Sequence, residues 1–326
     1  MVNKINKKIV CLGGGIGTVN LITGLKKYVP NITIAVSMAD EGGSAGRLRR
    51  LYHIFPPGDV VSCMAAIGSR KSPLISQMLT YRFPGNRYGK DADLAGHKLG
   101  SLILVAMRDV TGDFNKAIGL FQKTFNISGR FLPATQEPVR ISIRTKSGEE
   151  IFGEETIDLG KYDWKAGIET VTLHPQSAKA SPELLTQLSK ADAIIAGPGD
   201  LYTTIMPVLI IPQIRDVLKK TKAKKIFVVN VANKPYETRD YTVTNYLEAI
   251  KKHLDFFPFD TVIVNSSFKV KIPKGYDYTY VSPDGVLPRK LMLGQKVDII
   301  ASDLVDEKFP LYHTPLKLAK VIIQHI

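Results

Sequence analysis

The sequence predicts an α/β fold: a Rossmann-like, three-layer α/β/α arrangement with a mainly parallel, doubly wound sheet and an inserted β-hairpin, in one unit spanning residues 1–326. Three observations carry this expectation. Short apolar, β-branched runs alternate with helical patterns along the chain, which is how βαβ units read in sequence. Glycine-rich stretches follow several of those runs. One segment, about 139–155, breaks the pattern with polar and apolar residues in strict alternation.

The strands are expected at Lys8–Leu12, Ile32–Ser37, Ala193–Ala196, Ile226–Asn230, Thr261–Asn265 and Val297–Ala301. Each is short and apolar on both faces, as central strands covered by helices on two sides must be. Helical patterns fall at Thr18–Tyr28, Leu99–Val110, Asn115–Phe125, Pro182–Lys190, Thr242–His253 and Pro315–Gln324. The last closes a C-terminal strand and helix over 297–326; Thr314 is placed to cap it, and Pro315 at the first helical position needs no N–H partner. Around Ser147-Gly148, Arg140, Ser142 and Arg144 alternate with Ile141 and Ile143, which predicts the inserted hairpin. No shift of composition or linker-like stretch divides the chain.

Composition bounds the function classes. With 326 residues, 44% apolar and 23% charged, the chain buries a sizeable core without disulfides. Cys11 and Cys63 are its only cysteines and share no metal-ligand spacing, so a reduced, cytoplasmic setting is expected. Lys4, Lys7 and Lys8 precede the apolar run Ile9–Leu12, but that run is shorter than the roughly 7–15 residues of a secretory signal. No later stretch approaches the roughly 18 apolar residues of a membrane helix, so no membrane insertion is expected. The net charge is +14, yet its cations are scattered apart from Arg47, Arg49, Arg50 and the run Lys219, Lys220, Lys222, Lys224, Lys225. Without a stacking ladder or a recognised motif, a nucleic-acid partner is not expected. A homo-oligomer is left open, and nothing calls for a redox cofactor.

The chemistry is expected in the loops. Gly13, Gly14, Gly15, Gly17 and Thr18 lie between the first strand and the first helix, where backbone N–H groups and the helix N-terminus suit an anion. The stretch lacks a Walker lysine, and Thr18 stands where a dinucleotide fingerprint has its last glycine; a tight turn without ligand is the plainer alternative. Asp40, Glu41, Gly42, Gly43, Ser44 and Arg47 follow the second strand; the carboxylates suit Mg²⁺ or a sugar hydroxyl, and Arg47 a phosphate. Pro56-Pro57-Gly58-Asp59 is a rigid turn that presents Asp59, with Ser62 close behind. His97, Lys98 and Ser101 open the helix that carries Leu102–Met107. Gly197, Gly199, Asp200 and Tyr202 repeat the logic after a later strand, and Asn230, Asn233, Lys234, Glu237 and Thr238 follow the next. Beyond the carboxyl ends of such strands lies the crevice where open α/β sheets bind ligands.

Single residues carry less. His97 has no paired acid and reads more simply as a loop-fixing residue; Ser44 and Ser62 have no adjacent base; Cys63 reads as a small buried residue. Asp40 and Asp59 are the candidates for holding Mg²⁺, and for catalysis if the protein is a transferase.

The segments ADEGGSAGRLR (39–49), PPGD (56–59), GHKLG (96–100), LPATQEPV (132–139), GPGDLYT (197–203) and HTPLKLA (313–319), in this order, resemble the CofD-like superfamily, specifically its YvcK branch, the gluconeogenesis factors. The resemblance covers nearly the whole chain. It implies a Rossmann-like core and a nucleotide site, and for the YvcK branch a cytoplasmic regulator that binds UDP-sugars such as UDP-N-acetylglucosamine and influences carbon use, cell-wall synthesis and cell shape. For CofD itself it implies a Mg²⁺-dependent 2-phospho-L-lactate transferase with a guanosine diphosphate donor and a deazaflavin acceptor. A UDP-sugar is favoured over GDP. The chain departs from the family pattern at Glu41, Ala45, Val61, Ser62, Lys98, Ser101 and Asp200, where Asp, Ser, Arg, Asn, Ser, Asn and Ser are common. A lysine gained at 98 as an arginine is lost at 61 suggests a relocated phosphate contact.

Overall fold

The structure, a computed structural model, describes residues 4–69, 72–90, 92–273, 275–283 and 296–326. Its strands are β1 (Lys8–Gly13), β2 (Asn31–Val36), β3 (Arg130–Pro133), β4 (Arg140–Thr145), β5 (Glu150–Phe152), β6 (Ile168–His174), β7 (Ala193–Ala196), β8 (Lys224–Val228), β9 (Ala232–Asn233), β10 (Thr261–Asn265), β11 (Thr279–Tyr280) and β12 (Asp298–Ser302). The helices are α1 (Gly15–Leu25), α2 (Gly43–Tyr52), α3 (Gly58–Ile67), α4 (Pro73–Thr80), α5 (Leu99–Thr111), α6 (Phe114–Phe125), α7 (Glu154–Asp158), α8 (Pro182–Ser189), α9 (Met206–Leu209), α10 (Pro212–Lys220), α11 (Val243–Leu254) and α12 (Pro315–Ile323).

A seven-stranded, wholly parallel sheet in the order β12-β10-β8-β7-β1-β2-β3 forms the centre. The chain builds outward from β1 through β2 to β3, then returns to the other side of β1 and builds through β7, β8 and β10 to β12. This is the doubly wound order, and it puts the reversal between β1 and β7. Ile9–Leu12, Ile34–Val36, Ala193–Ala196 and Val262–Val264 are almost wholly buried, as strands covered on both faces require. Helix α1 crosses α12 so closely that a Cβ on Gly24 would lie 2.0 Å from the Pro315 carbonyl oxygen.

The hairpin is present as β4 and β5, but it is part of a three-stranded antiparallel sheet, order β5-β4-β6. The sequence reading had no strand at Ile168–His174. It also missed β3, which ends on a proline at the sheet edge, and helices α2, α3, α4 and α10. At α12 the expected cap differs: Pro315 does take the first turn, but the Thr314 hydroxyl donates to the Val305 carbonyl at 2.8 Å instead of capping the helix. Among the described residues no single helix is long and apolar enough to cross a membrane.

Candidate functional site

At the carboxyl ends of β1 and β7 the chain opens a cavity of about 820 Å³. Here α1 leaves β1 while the loop after β7 crosses its first turn. A Cβ on Gly17 would sit 2.3 Å from the Pro198 carbonyl oxygen, so the close approach of helix and loop requires glycine there. The N-terminus of α1 is partly served by protein groups. Thr18 Oγ1 accepts from Gly14 N at 2.9 Å, and Asp59 Oδ2 accepts from Gly15 N at 2.7 Å. A carboxylate thus stands where the helix favours negative charge.

Asp59 lies in the first turn of α3 rather than in an exposed turn. Burial raises its pKa, while Lys98 and the Gly15 N–H oppose the rise. Asp40, at the end of the loop after β2, accepts from Gly42 N at 2.9 Å. Burial, then the charge of Asp59, raise its pKa to about 7, against the pull of the Gly42 N–H. Lys98 places Nζ 2.5 Å from Ser62 Oγ and 3.5 Å from the Gly58 carbonyl oxygen; burial lowers its pKa and Asp59 works the other way. Val61 is buried against Gly100 of α5.

The same cavity wall carries two arginines outside the sequence reading. Arg82 donates to Ser44 Oγ at 3.1 Å and to the Gly96 carbonyl, and Arg87 lies 4.9 Å over the Tyr88 ring. Arg87 shares the cavity lining with Asp40 and Asp59, and its charge works against the rise of both pKa values. The segment that bears it is riveted from below by Arg47. That side chain, 1% exposed, donates to the carbonyls of Asn86 (3.3 Å), Ala95 (2.7 Å) and Asp93. The expectation that Arg47 takes a phosphate is therefore corrected: its guanidinium is buried outside the cavity lining, and both of its terminal nitrogens hold the Arg87 loop.

A second wall is acidic. Lys234, after β8, donates to Asp158 on α7, to Asp200 Oδ2 after β7 (2.8 Å) and to Glu237 Oε1 (2.8 Å). Burial alone would lower its pKa, but these carboxylates hold it well above the ordinary lysine value. The Asp158, Asp200 and Glu237 oxygens lie within 4.8 Å of one another, close enough for a metal ion, and the Lys234 ammonium occupies that position. Glu237 is fully enclosed and also accepts from the N–H groups of Tyr202 (3.1 Å) and Thr203 (3.2 Å).

Of the residues singled out in the sequence, Gly15, Gly17, Asp40, Gly42, Ser44, Gly58, Asp59, Ser62, Lys98, Gly199, Asp200 and Asn230 line the cavity. Others do not. Gly13, Gly14, Thr18 and Gly197 form the turns beneath it. Glu41 turns to the inserted sheet, accepting from Arg140 Nε at 2.6 Å and from Glu154 N at 3.2 Å. Gly43 underlies Arg87, while His97 and Ser101 are buried at the start of α5. Tyr202 is buried, its hydroxyl 2.8 Å from that of Tyr241. Cys63 is buried too, which pushes its thiol well up. Glu154, Asp158, Tyr88, Tyr276, Tyr278 and Tyr312 join the lining unannounced by any motif.

A doubly wound sheet with a polar cleft at its reversal point defines an open α/β protein with a ligand crevice, and the family is specific: the model for 2-phospho-L-lactate transferase CofD matches residues 9–303, so the chain belongs to the CofD family. Its relatives there are gluconeogenesis factors. The chain is 39% identical to the gluconeogenesis factor of Bacillus subtilis over 259 residues, covering 79% of this chain and 78% of that protein. It is 37% identical to the gluconeogenesis factor of Halalkalibacterium halodurans over 261 residues, covering 79% and 77%. A crystal structure of a UPF0052 family protein from Bacillus halodurans superimposes with a TM-score of 0.86 at 33% identity, covering 98% of this chain and all of that one.

Proposed function

We propose that the chain is a cytoplasmic regulatory protein that binds a nucleotide sugar of the UDP-N-acetylglucosamine type and links its level to carbon metabolism, cell-wall synthesis and cell shape. The observation that carries the reading is the cavity's cationic wall. Arg82 and Arg87 lie against the first turn of α2 and Lys98 against that of α3, in the cavity that the N-terminus of α1 also lines. Such a wall suits a diphosphate, and the tyrosines around the cavity offer faces and hydroxyls to a base and sugar.

The second reading is a CofD-type transferase, favoured by the family match and by two half-buried carboxylates, Asp40 and Asp59, the charge of the second making ionisation of the first more costly. Such a pair fits a hard cation, which would relieve the repulsion. Asp40 and Asp59 would hold Mg²⁺, and the ion would neutralise diphosphate charge. In that reaction an acceptor hydroxyl attacks the donor's phosphorus, its proton is lost, and a nucleoside monophosphate leaves.

Thermal melts with UDP-sugars, GDP, GTP, NAD and NADP, each with and without Mg²⁺, separate the readings. A UDP-sugar at 100 times its dissociation constant should add ~2.7 kcal/mol, a rise of at least ~5 °C in a chain of this size. Stabilisation by GDP that strictly requires Mg²⁺ would favour the transferase. A shift with NAD alone would refute both.

A further inference from the structure

The two walls of the cavity differ in what they offer a ligand. On one, Lys98, Arg82 and Arg87 supply N–H donors and positive charge beside the carboxylates of Asp40 and Asp59. The other supplies acceptors. All three protons of Lys234 are taken by Asp158, Asp200 and Glu237, so its ammonium has no donor left for a phosphate. Three carboxylates around one ammonium leave this wall net negative, and the second oxygens of Asp158 and Asp200 make no further hydrogen bond among the described residues. Their side chains are 27% and 39% exposed.

An independent observation falls in the same cavity. His313, 3% exposed and among the lining residues, has its Nε2 buried without a hydrogen-bond partner among the described residues. Burial lowers its pKa to about 4, while the Val229 backbone works the other way. A neutral imidazole whose other nitrogen meets a backbone carbonyl carries its lone pair on Nε2, so the orphaned atom is an acceptor lacking a donor. Tyr312 beside it lines the same cavity as Asp158, Asp200 and Lys234.

We infer that Asp158, Asp200 and His313 form the subsite for the hydroxyl-bearing part of the ligand, and that they orient it with its phosphates on the Arg82, Arg87 and Lys98 wall. This rests on the nucleotide-sugar reading and deepens it. Hydroxyl and amide N–H groups are the donors such a wall lacks; a phosphate there would face the carboxylates unpaired, which is strongly unfavourable. Lys234 is the positioning residue, a tethered cation that holds three acceptors where a metal ion would otherwise be needed.

Titration calorimetry with UDP and with UDP-N-acetylglucosamine tests this. The wild-type chain should bind the sugar nucleotide at least ~10-fold more tightly than UDP, the worth of about one hydrogen bond to a charged group. Asp200→Asn and His313→Phe should each reduce that ratio to within ~3-fold and leave UDP affinity unchanged; Asp200 is exposed enough for its variant to fold even where His313→Phe does not. Arg87→Ala should weaken both ligands by a similar factor and keep the ratio. An unchanged ratio in Asp200→Asn and His313→Phe, or equal loss of UDP and the sugar nucleotide, overturns the subsite while leaving the nucleotide reading intact. Binding of neither ligand by the wild type overturns both.

Discussion

Asp40 illustrates how a polar cavity is held at a cost to the fold. Its carboxyl is half-buried and feels the charge of Asp59, with a pKa raised to about 7. A carboxyl raised above its unfolded value binds its proton more tightly in the folded state, so the folded chain loses stability as pH climbs from about 4 towards 7. Above that range the penalty is fully present. Asp40→Asn should therefore raise the melting temperature of the ligand-free protein at pH 8, by ~1–2 kcal/mol or roughly 2–8 °C, and leave it nearly unchanged at pH 4. Differential scanning calorimetry at the two pH values checks this; equal shifts at both would mean the charge is not the cause. The same scale shows what one-dimensional reading cannot reach. Asp40, Asp59 and Lys98 were legible because they follow strands in glycine-rich loops. Arg47 sits in such a loop too, but its side chain is claimed by carbonyls some forty residues away, and Arg87, which does reach the cavity, lies in a stretch with no periodicity to mark it. Side-chain direction is decided by those distant contacts.

Among the elements, the first βα unit and the β7 loop depend on one another. Gly17→Ala would drive a methyl group into the Pro198 carbonyl, forcing α1 off the loop. Overpacking of this kind costs ~1–3 kcal/mol, so a fall of several degrees in melting temperature is expected together with weakened nucleotide binding. Gly119→Ala is the contrast, because it lies within α6 with nothing within 4 Å and should stabilise by ~0.5–1 kcal/mol. If both variants melt alike, the close crossing is not a constraint. The central strands were legible because burial on two faces writes uninterrupted apolar runs. β6 was not, since Glu169 interrupts the alternation between Ile168 and Val171 and is left out of the pairing by a register shift at Arg144/Thr145. Helix α2 was hidden by its own glycines: Gly46 has low helix propensity, yet a Cβ there would collide with the Glu41 carbonyl.

For the whole molecule, the sheet order makes the cavity inevitable and the insertions give it character. Reversal of the winding between β1 and β7 opens the cleft. The inserted β5-β4-β6 sheet and α7 then bring Asp158 and Glu154 to it, and the segment before α12 brings Tyr312 and His313. The doubly wound fold was legible from alternation alone; the acidic wall was not, because it joins residues from three separated stretches. The most direct test is a crystal structure of the chain grown with saturating UDP-N-acetylglucosamine. Diphosphate density within hydrogen-bonding distance of Arg87 and Lys98, beside the N-terminus of α1, is the expected result. Density for the nucleotide elsewhere on the surface, or a cavity filled by solvent alone at saturating ligand, would contradict it.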